Sequence, residues 1–523
     1  MKRKRIIALM LVLALVLSLA ACGGNTEPNK PVASGGNDEG ISADSPYAGK
    51  GYDLSEHRTI IMAVLGNPPT DMDKVLEKAN KEYFEPWLNA TLELNFLGWG
   101  DSSTKYSLLL SGGDPVDIIY TADWVGYTSQ AINGGFKDLS PEFLQTYLPY
   151  SYADQTATSW KQVSIDNVIY AIPASGPEFN AYSMVLFRQD LLEKYNLDAI
   201  NSWDTLKNAL ITVSQNEEGM YGIGQRQHDE LLWPWWQTHN VWYLDESCSI
   251  IYHTDHEGDL PDFNTDIEYM YTSPLFYEYL VEMNEMASKN VWDPNVINET
   301  TLPSDLFESG RLACQVWNNT ISGSGKNMED AGIGTYMIYD VSPECKVQRA
   351  KATNNMFSIS PKSEDPERAT LVLDCMRAFK EVNFLLEGGI EGEHYILTED
   401  GFRQDGPAAA NYPWSSWAWG INRPDTLKVY TDDSRQLIYF NTCESKEYAP
   451  TVAGFSFNPG PVETELAVIN EVIGTYEDNL MLGMYGDDLE AKYQEFVSKL
   501  KDAGLDRVME EVKRQYEAFC EGT

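Results

Sequence analysis

Tryptophans beside short polar side chains are the residues of this 523-residue chain whose types and spacing could do chemistry. Three such pairs occur: Trp99 with Asp101, Asp123 with Trp124, and Trp317 with Asn318. A flat indole ring buries an apolar ligand face, and a carboxylate or amide forms hydrogen bonds with a polar rim. The pairs therefore favour a site that binds a ligand, and Tyr120 joins them as a further candidate contact.

Two denser tryptophan clusters supply more candidates. The segment 231–242 reads LLWPWWQTHNVW, and the segment 412–422 reads YPWSSWAWGIN. In the second segment, the proline and the glycine that flank the rings indicate a loop, and unpartnered rings in a loop favour a ligand. We expect the contacts to come from a subset of each cluster, with these candidates: Trp233, Trp236, Trp414 and Trp419.

Sequence signatures of catalysis are missing from the chain. It contains no HExxH, no GxSxG and no complete Walker loop. The seven cysteines form no CxxC pair, and the six histidines are scattered. We predict a protein that is not an enzyme and holds no cofactor and no metal. A surface glycoside hydrolase stays open, because a catalytic carboxylate pair can be neither chosen nor dismissed in so acidic a sequence. A structural or adhesive protein is the third alternative.

The charge balance restricts the ligand. The formal net charge is −41, and loss of the four basic residues at 2–5 leaves −45. Such a field repels nucleic acid and anionic substrates. A neutral or cationic ligand is therefore expected.

The elements that position these residues follow a βαβαβ order. Continuous apolar runs predict strands at 58–65, 92–96 and 115–120, with helices at 72–83 and 105–111 between them. This order implies a parallel sheet, and ligands gather beyond the carboxyl ends of such strands. Trp99 and Asp123 directly follow two of those ends. The second half repeats the helix–strand pattern, including one long helix over 365–386.

The first fifty residues indicate export. Basic residues 2–5 precede an apolar run over 6–21, which is typical of a signal peptide. The run ends in Leu-Ala-Ala-Cys22, which resembles the lipobox of bacterial lipoproteins and implies lipid (diacylglycerol, palmitate) on Cys22. Residues 22–50 are rich in Gly, Ser, Pro and Asn, so we expect a flexible tether there. An ordinary secretory signal is the alternative.

Five segments in a fixed order resemble the extracellular solute-binding proteins of family 1. They are LLLSGGDPVDIIYT (108–121), IYAIPA (169–174), LFRQDLLEKYNLDAINSWDTLKNAL (186–210), LFESGRLACQVWN (306–318) and SISPKSEDPERATLVLD (358–374). The tail, 388–395 and 454–476, resembles the lipoprotein subgroup with a distinctive, DUF3502-like C-terminal domain. The resemblance runs from about residue 57 to 520.

This resemblance implies an α/β fold of two lobes, similar to periplasmic binding proteins, with a hinge and a ligand cleft between the lobes. We place the first lobe at 56–175 and 352–395, and the second at 176–351 and 396–523. The implied protein is a monomeric, lipid-anchored receptor of an ABC importer on the outer face of a Gram-positive bacterial membrane. It would deliver an oligosaccharide to permease subunits, with no nucleic acid partner. A receptor for peptides or another polar solute is the alternative.

Overall fold

Two separate hydrophobic cores organise the chain. The computed structural model describes residues 38–99, 102–113, 115–174, 184–224, 227–253, 260–317, 321–399, 403–413, 415, 419, 435, 442–443, 445–448 and 450–521. The first core draws on buried residues between 47 and 172 and between 356 and 386. The second draws on residues between 185 and 341 and between 452 and 516. The chain therefore forms two lobes, each assembled from separated segments, and the α/β two-lobe prediction is confirmed.

Short strands supply the sheets of both lobes. In chain order they are β1 Arg58–Leu65, β2 Ala90–Leu97, β3 Ile118–Thr121, β4 Ser164–Ile165, β5 Val168–Ile169, β6 Ile172–Pro173, β7 Met184–Arg188, β8 Val241–Asp245, β9 Ile250–His253, β10 Ile267–Tyr269, β11 Cys314–Trp317, β12 Tyr336–Tyr339, β13 Val347–Gln348, β14 Met356–Ile359, β15 Tyr395–Leu397, β16 Arg403–Asp405 and β17 Glu447–Tyr448.

Helices cover these sheets. In chain order they are α1 Met72–Ala79, α2 Glu85–Leu88, α3 Ser102–Ser111, α4 Tyr127–Ile132, α5 Pro141–Tyr147, α6 Ala157–Gln162, α7 Gln189–Tyr195, α8 Trp203–Asn216, α9 Gln227–Thr238, α10 Pro274–Ser288, α11 Pro303–Glu308, α12 Ile321–Asp330, α13 Pro366–Ala378, α14 Lys380–Gly388, α15 Glu463–Met481, α16 Leu489–Asp502 and α17 Leu505–Glu521. In the part of the chain that the structure describes, none of the helices is long and apolar enough to cross a membrane.

The sheet of the first lobe has five strands in the order β2-β1-β3-β14-β6. β1 pairs in parallel with β2 and β3, as the βαβαβ order predicts. β14 then runs antiparallel to β3 and β6. The last five residues of β1 are apolar and all but the first of its central pair are buried, because helices cover both faces of a parallel sheet. The carboxyl ends of β1, β2 and β3 consequently share one edge of the sheet.

The second lobe differs from the expected repeat of this pattern. Its two three-stranded sheets, β11-β7-β12 and β10-β9-β8, are both antiparallel. Helix α10 packs against α15 and α16, so the C-terminal helices join the core of this lobe. The apolar periodicity of the second half predicts its elements, but it carries no information on strand direction.

The single helix expected over 365–386 is instead two helices, α13 and α14. They are separated by Phe379, whose backbone is extended (φ −109°, ψ 115°). Its ring centre lies 5.0 Å from that of Trp87 and 5.2 Å from that of Tyr150. The helix therefore breaks where an aromatic side chain turns into a cluster of rings, which the helical periodicity does not reveal.

The folded body begins before the expected end of the tether at residue 50. Tyr47 is completely buried, and its hydroxyl donates to Asp374 Oδ2 at 2.9 Å. The Ser45 hydroxyl donates to the carbonyl of Trp87 at 2.7 Å. Residues 38–50 thus pack on the first lobe, and the flexible-tether interpretation is wrong for this portion because a tyrosine supplies both an apolar ring and a buried hydrogen bond.

The first lobe also extends beyond the expected boundary at residue 395. The Tyr412 hydroxyl donates to the carbonyl of Leu386 at 2.8 Å, and the Ser415 amide donates to the carbonyl of Glu387 at 2.8 Å. Tyr412 and Trp419 both lie in the first core. The assignment of this stretch to the second lobe is therefore wrong, because its buried rings pack beside α14.

Candidate ligand-binding site between the lobes

Two exposed tryptophans mark the sheet edge of the first lobe. The rings of Trp99 and Trp124 stack with their centres 6.5 Å apart and their planes 30° apart. They expose 50% and 47% of their surface, which is far more than a tryptophan used for packing would show. The two indoles form a half-exposed aromatic surface where β2 and β3 end.

The loops after the strands hold both rings in place. Gly66, after β1, has φ +116°, and a Cβ there would lie 3.6 Å from the indole nitrogen of Trp99. The backbone of Gly66 therefore passes directly beneath the Trp99 ring. On the other side, Trp124 Nε1 donates to the carbonyl of Asn354 at 3.0 Å, and the ring of Tyr120 lies 6.0 Å away.

Asp123 lies beside this surface at the end of β3. Its amide donates to the carbonyl of Thr353 at 2.9 Å, and its carboxylate accepts a hydrogen bond from the Thr353 hydroxyl. Desolvation raises the pKa of Asp123 to about 6, although the charge of Lys351 and the Thr353 hydrogen bond act in the opposite direction. Asp123 is therefore an acceptor fixed by the crossover segment at 351–354 and able to exchange a proton near neutral pH.

Carboxylates of the second lobe face Asp123. Lys351 Nζ donates to the carbonyl of Leu244 at 2.5 Å, immediately before Asp245 and Glu246. Glu246 is open to water yet surrounded by protein, and this desolvation, followed by the charges of Asp123 and Asp245, raises its pKa to about 7. One lysine thus lies among three carboxylates where the lobes meet. The sequence interpretation missed Lys351 and Glu246, and its only signal was that a crossover near 351 must border the cleft.

The tryptophans of α9 divide into one partly exposed ring and two buried rings. Trp233 is partly exposed, and its ring centre lies 5.0 Å from that of Tyr243. Trp236 is 1% exposed and Trp235 is 6% exposed, and both belong to the second core. The prediction that Trp236 contacts a ligand is therefore contradicted, because α9 lies between β8, β11 and α10 and turns this ring inward.

The remaining predicted contacts also separate by burial. Trp317 ends β11 opposite Met184 and is 40% exposed, so it remains a candidate platform of the second lobe. Trp419 is 3% exposed in the first core, and Tyr120 is 1% exposed with its hydroxyl bonded to Asn355. Neither of these two presents a ring face to a ligand. Four predicted residues lie outside the described part of the chain: Cys22, Asp101, Asn318 and Trp414.

One cluster has the side chains of a metal site, but its atoms already have partners. Ligand atoms of Asp71, Glu393 and His394 lie within 4.8 Å of one another. His394 Nδ1 accepts the amide of Ile390 at 2.8 Å, so its proton is on Nε2, 3.1 Å from Asp71 Oδ2. A ring nitrogen that carries a proton cannot ligate a metal, and Glu393 forms an ion pair with Lys74. The cluster joins the 390–394 turn to the start of α1.

The cysteines after Cys22 are free thiols in the structure. They are Cys248, Cys314, Cys345, Cys375, Cys443 and Cys520. Burial raises the pKa of the Cys314 and Cys375 thiols, which keeps them protonated in the cores. These residues contribute packing rather than redox chemistry or metal ligation.

Two lobes that meet at an edge of exposed indoles and carboxylates define the class of two-lobe binding proteins. The chain belongs to the family of bacterial extracellular solute-binding proteins, whose model matches residues 68–377. Residues 451–521 match a domain of unknown function, DUF3502. The family resemblance in the sequence is therefore confirmed, and the members of this family are binding proteins rather than enzymes.

Relatives with known names extend this placement. A carbohydrate ABC transporter substrate-binding protein of Streptococcus pneumoniae serotype 4 is 24% identical, over 97% of this chain and 96% of the relative. The structure of the N-glycan transport solute-binding protein NgtS of S. pneumoniae matches with a TM-score of 0.70 at 19% identity, over 89% of this chain and 99% of that chain. That of S. pneumoniae FusA with kestose matches with a TM-score of 0.62 at 13% identity, over 90% of this chain and all of that chain. Matches of such low identity show the fold alone.

Proposed function

We propose that this chain captures a neutral oligosaccharide between its lobes and delivers it to the permease of an ABC importer. The observation that carries the proposal is the stacked, half-exposed pair Trp99 and Trp124 beside Asp123. These side chains lie at the carboxyl ends of parallel strands, where α/β folds bind ligands. Trp317 and Trp233 are the proposed contacts from the second lobe.

The chemistry of the proposed contacts suits a sugar. A pyranose has an apolar C–H face and a rim of hydroxyls, so it needs a flat ring and short hydrogen-bonding groups at the same place. Stacking on an indole contributes roughly 25 cal/mol for each Å² of apolar area removed from water. Hydrogen bonds from sugar hydroxyls to Asp123 and Glu246 are charge-assisted and therefore stronger than neutral ones. Such bonds also fix the orientation of the ring.

The charges favour a neutral ligand over an acidic one. Asp123, Asp245 and Glu246 surround a single lysine among the described residues of this region, and Lys351 already donates to Leu244. An added uronate carboxylate would meet three like charges at close range, in addition to the field of a chain with formal charge −41. The names of the relatives, which specify carbohydrate, N-glycan and kestose, support the same class of ligand.

The proposed setting is the outer face of a bacterial membrane, with lipid on Cys22 and no catalytic turnover. The basic and apolar run before Cys22 supports export, and the Leu-Ala-Ala-Cys ending supports acylation. The ABC transporter named for the carbohydrate-binding relative supports a permease partner. Radiolabelled palmitate should enter the native chain in bacteria and should not enter a Cys22→Ala variant.

A thermal-shift panel tests the proposed ligand class. Residues 38–523 would be melted with Man1GlcNAc, Man5GlcNAc, kestose, alginate oligomers and a peptide mixture. Ligand at a hundredfold excess over Kd stabilises the folded state by about 2.7 kcal/mol. We expect a shift with at least one neutral sugar, which Trp124→Ala reduces and the packing-conserving control Trp87→Phe retains.

Other outcomes of the panel would assign the chain differently. A shift with peptides alone would keep a binding protein and reject the sugar, whereas alginate binding as tight as that of neutral sugars would reject the charge argument. The panel sugars would also be recovered by chromatography after incubation. Shortened products would indicate a glycoside hydrolase and contradict binding without turnover.

A further inference from the structure

The C-terminal module (residues 451–521) belongs to the second lobe, yet it contacts the first lobe directly. Gln162, at the end of α6 in the first lobe, is buried, and its Nε2 donates to the carbonyl of Ala453 at 2.6 Å. Its Oε1 accepts the amide of Ala352 in the crossover segment at 2.8 Å. One side chain thus connects the first lobe, the crossover and the C-terminal module.

Two further contacts surround this connection. Lys161 Nζ lies 4.5 Å from the centre of the Phe519 ring, a cation–π contact with α17. Asn458 Nδ2 donates to Asp166 Oδ2 at 3.2 Å. A Cβ at Gly454 would lie 3.5 Å from Phe519 and 3.8 Å from Lys161, so this glycine packs beneath both side chains. These contacts form a continuous bridge from the first lobe to the module.

The bridge lies on the opposite side of the hinge from the tryptophans. Along the sheet order β2-β1-β3-β14-β6, Trp99 and Trp124 follow β2 and β3. The crossovers between the lobes adjoin β14 and β6, and Gln155, just before α6, donates to the carbonyl of Ala174 after β6 at 2.7 Å. The crossovers therefore separate the tryptophan side from the bridge side.

A cavity of about 490 Å³ lies beside the bridge. It is lined by α6, by the crossover at 349–355 and by the module residues 450–454 and Phe519. Space between the first lobe and the module allows their separation to change without a clash of packed side chains. The bridge crosses this space with a few polar and cation–π contacts rather than with a packed core.

We propose that the C-terminal module is a rear brace that holds the lobes apart when no ligand is bound. Rotation about the crossovers that closes the tryptophan side must separate the bridge side, as in hinge closure generally. The bridge is formed in a conformation that leaves Trp99 and Trp124 half exposed. Its contacts therefore stabilise the open state, and loosening them increases the closed fraction and tightens apparent binding.

This role rests on the proposed function in one respect, namely that the cleft closes on a ligand. The test therefore includes a measurement on the free protein. The variants are Lys161→Ala, which changes an exposed side chain, and Gln162→Ala. The matched control is Lys513→Ala, which removes a cation–π contact of the same helix α17 at 5.8 Å, but with Phe263 of the second lobe.

Small-angle X-ray scattering of the free proteins gives the first measurement. We expect a smaller radius of gyration for both bridge variants than for the native chain, and no change for Lys513→Ala. Calorimetric titration with the tightest-binding sugar among Man1GlcNAc, Man5GlcNAc and kestose gives the second. We expect affinity about three- to tenfold higher in the bridge variants, from the loss of one or two contacts that exist only in the open state.

The direction of the change separates a brace from simple packing. Loss of packing alone lowers the melting temperature and leaves affinity unchanged or weaker. An unchanged or larger radius of gyration in both bridge variants, or unchanged affinity, would overturn the brace. If none of the sugars binds any form, the proposed function fails, and the scattering of the free variants still decides the brace.

Discussion

The tryptophans at strand ends and the tryptophans inside α9 occupy opposite environments. Trp99, Trp124 and Trp317 follow or end strands and are 50%, 47% and 40% exposed. Trp235 and Trp236 lie within α9 and are 6% and 1% exposed. The same residue type is therefore a candidate ligand platform in one region and core in the other. Its position relative to the end of an element matters more than the density of tryptophans around it.

The physical reason is the number of neighbours that each position has. A residue just past a strand leaves the sheet at its edge, where no helix covers it. Helix α9 instead packs against β8, β11, α8 and α10, so most of its circumference faces protein. Trp233, near the start of the second turn, is the exception and remains partly exposed beside Tyr243.

The largest expected effect breaks the core side of this comparison. Trp236→Ala removes a buried indole, and we expect a loss of about 3–5 kcal/mol in the free energy of unfolding, from lost burial and the cavity that remains. Urea denaturation followed by circular dichroism measures it. Affinity for sugar in the fraction that stays folded should be unchanged. A tenfold loss of affinity without loss of stability would return Trp236 to the cleft.

A smaller effect tests the exposed side. Trp124→Ala should leave the free energy of unfolding within about 1 kcal/mol of the native value, because the ring is half exposed and its main fixed contact is one hydrogen bond to Asn354. Affinity for the panel sugar should fall about tenfold, equal to 1.4 kcal/mol, through loss of the stacking face. Calorimetric titration gives the affinity, and Trp124→Phe is the control that should recover part of it. Equal affinity for Trp124→Ala and the native chain would remove this ring from the site.

The smallest effect concerns the carboxylate between the two tryptophan regions. The pKa of Asp123 is raised from 3.8 to about 6 in the folded chain. Between these values the folded state holds the proton more tightly than the unfolded state, so this group's contribution to stability falls as pH rises from about 4 to 6. Asn does not titrate, so the melting temperature of Asp123→Asn relative to the native chain should be about one to two degrees higher at pH 7 than at pH 4. A difference that does not vary with pH would show that burial leaves the Asp123 carboxylate unperturbed.

Local pattern predicted the elements of the first lobe well. Apolar runs bounded by glycine and proline predicted β1, β2, β3 and the helices between them, because each run has the period of its element. The positions of Trp99 and Asp123 at strand ends followed from the same reasoning. Patterns failed where a distant partner decided the outcome, as at Phe379, whose ring joins a cluster and breaks the helix.

The sequence by itself determined the parallel order of β1 to β3, the family and the residues at the strand ends, since these depend on neighbours along the chain. Only the tertiary structure decided which aromatic rings stay exposed, because burial depends on elements distant in sequence. It buried Trp236 and Trp419, and it brought Lys351 and Glu246 towards Asp123. It also packed the C-terminal module against α6, a contact between residues nearly 300 positions apart for Gln162 and Ala453. No local pattern encodes such a pairing, because the chain must fold before the two surfaces meet.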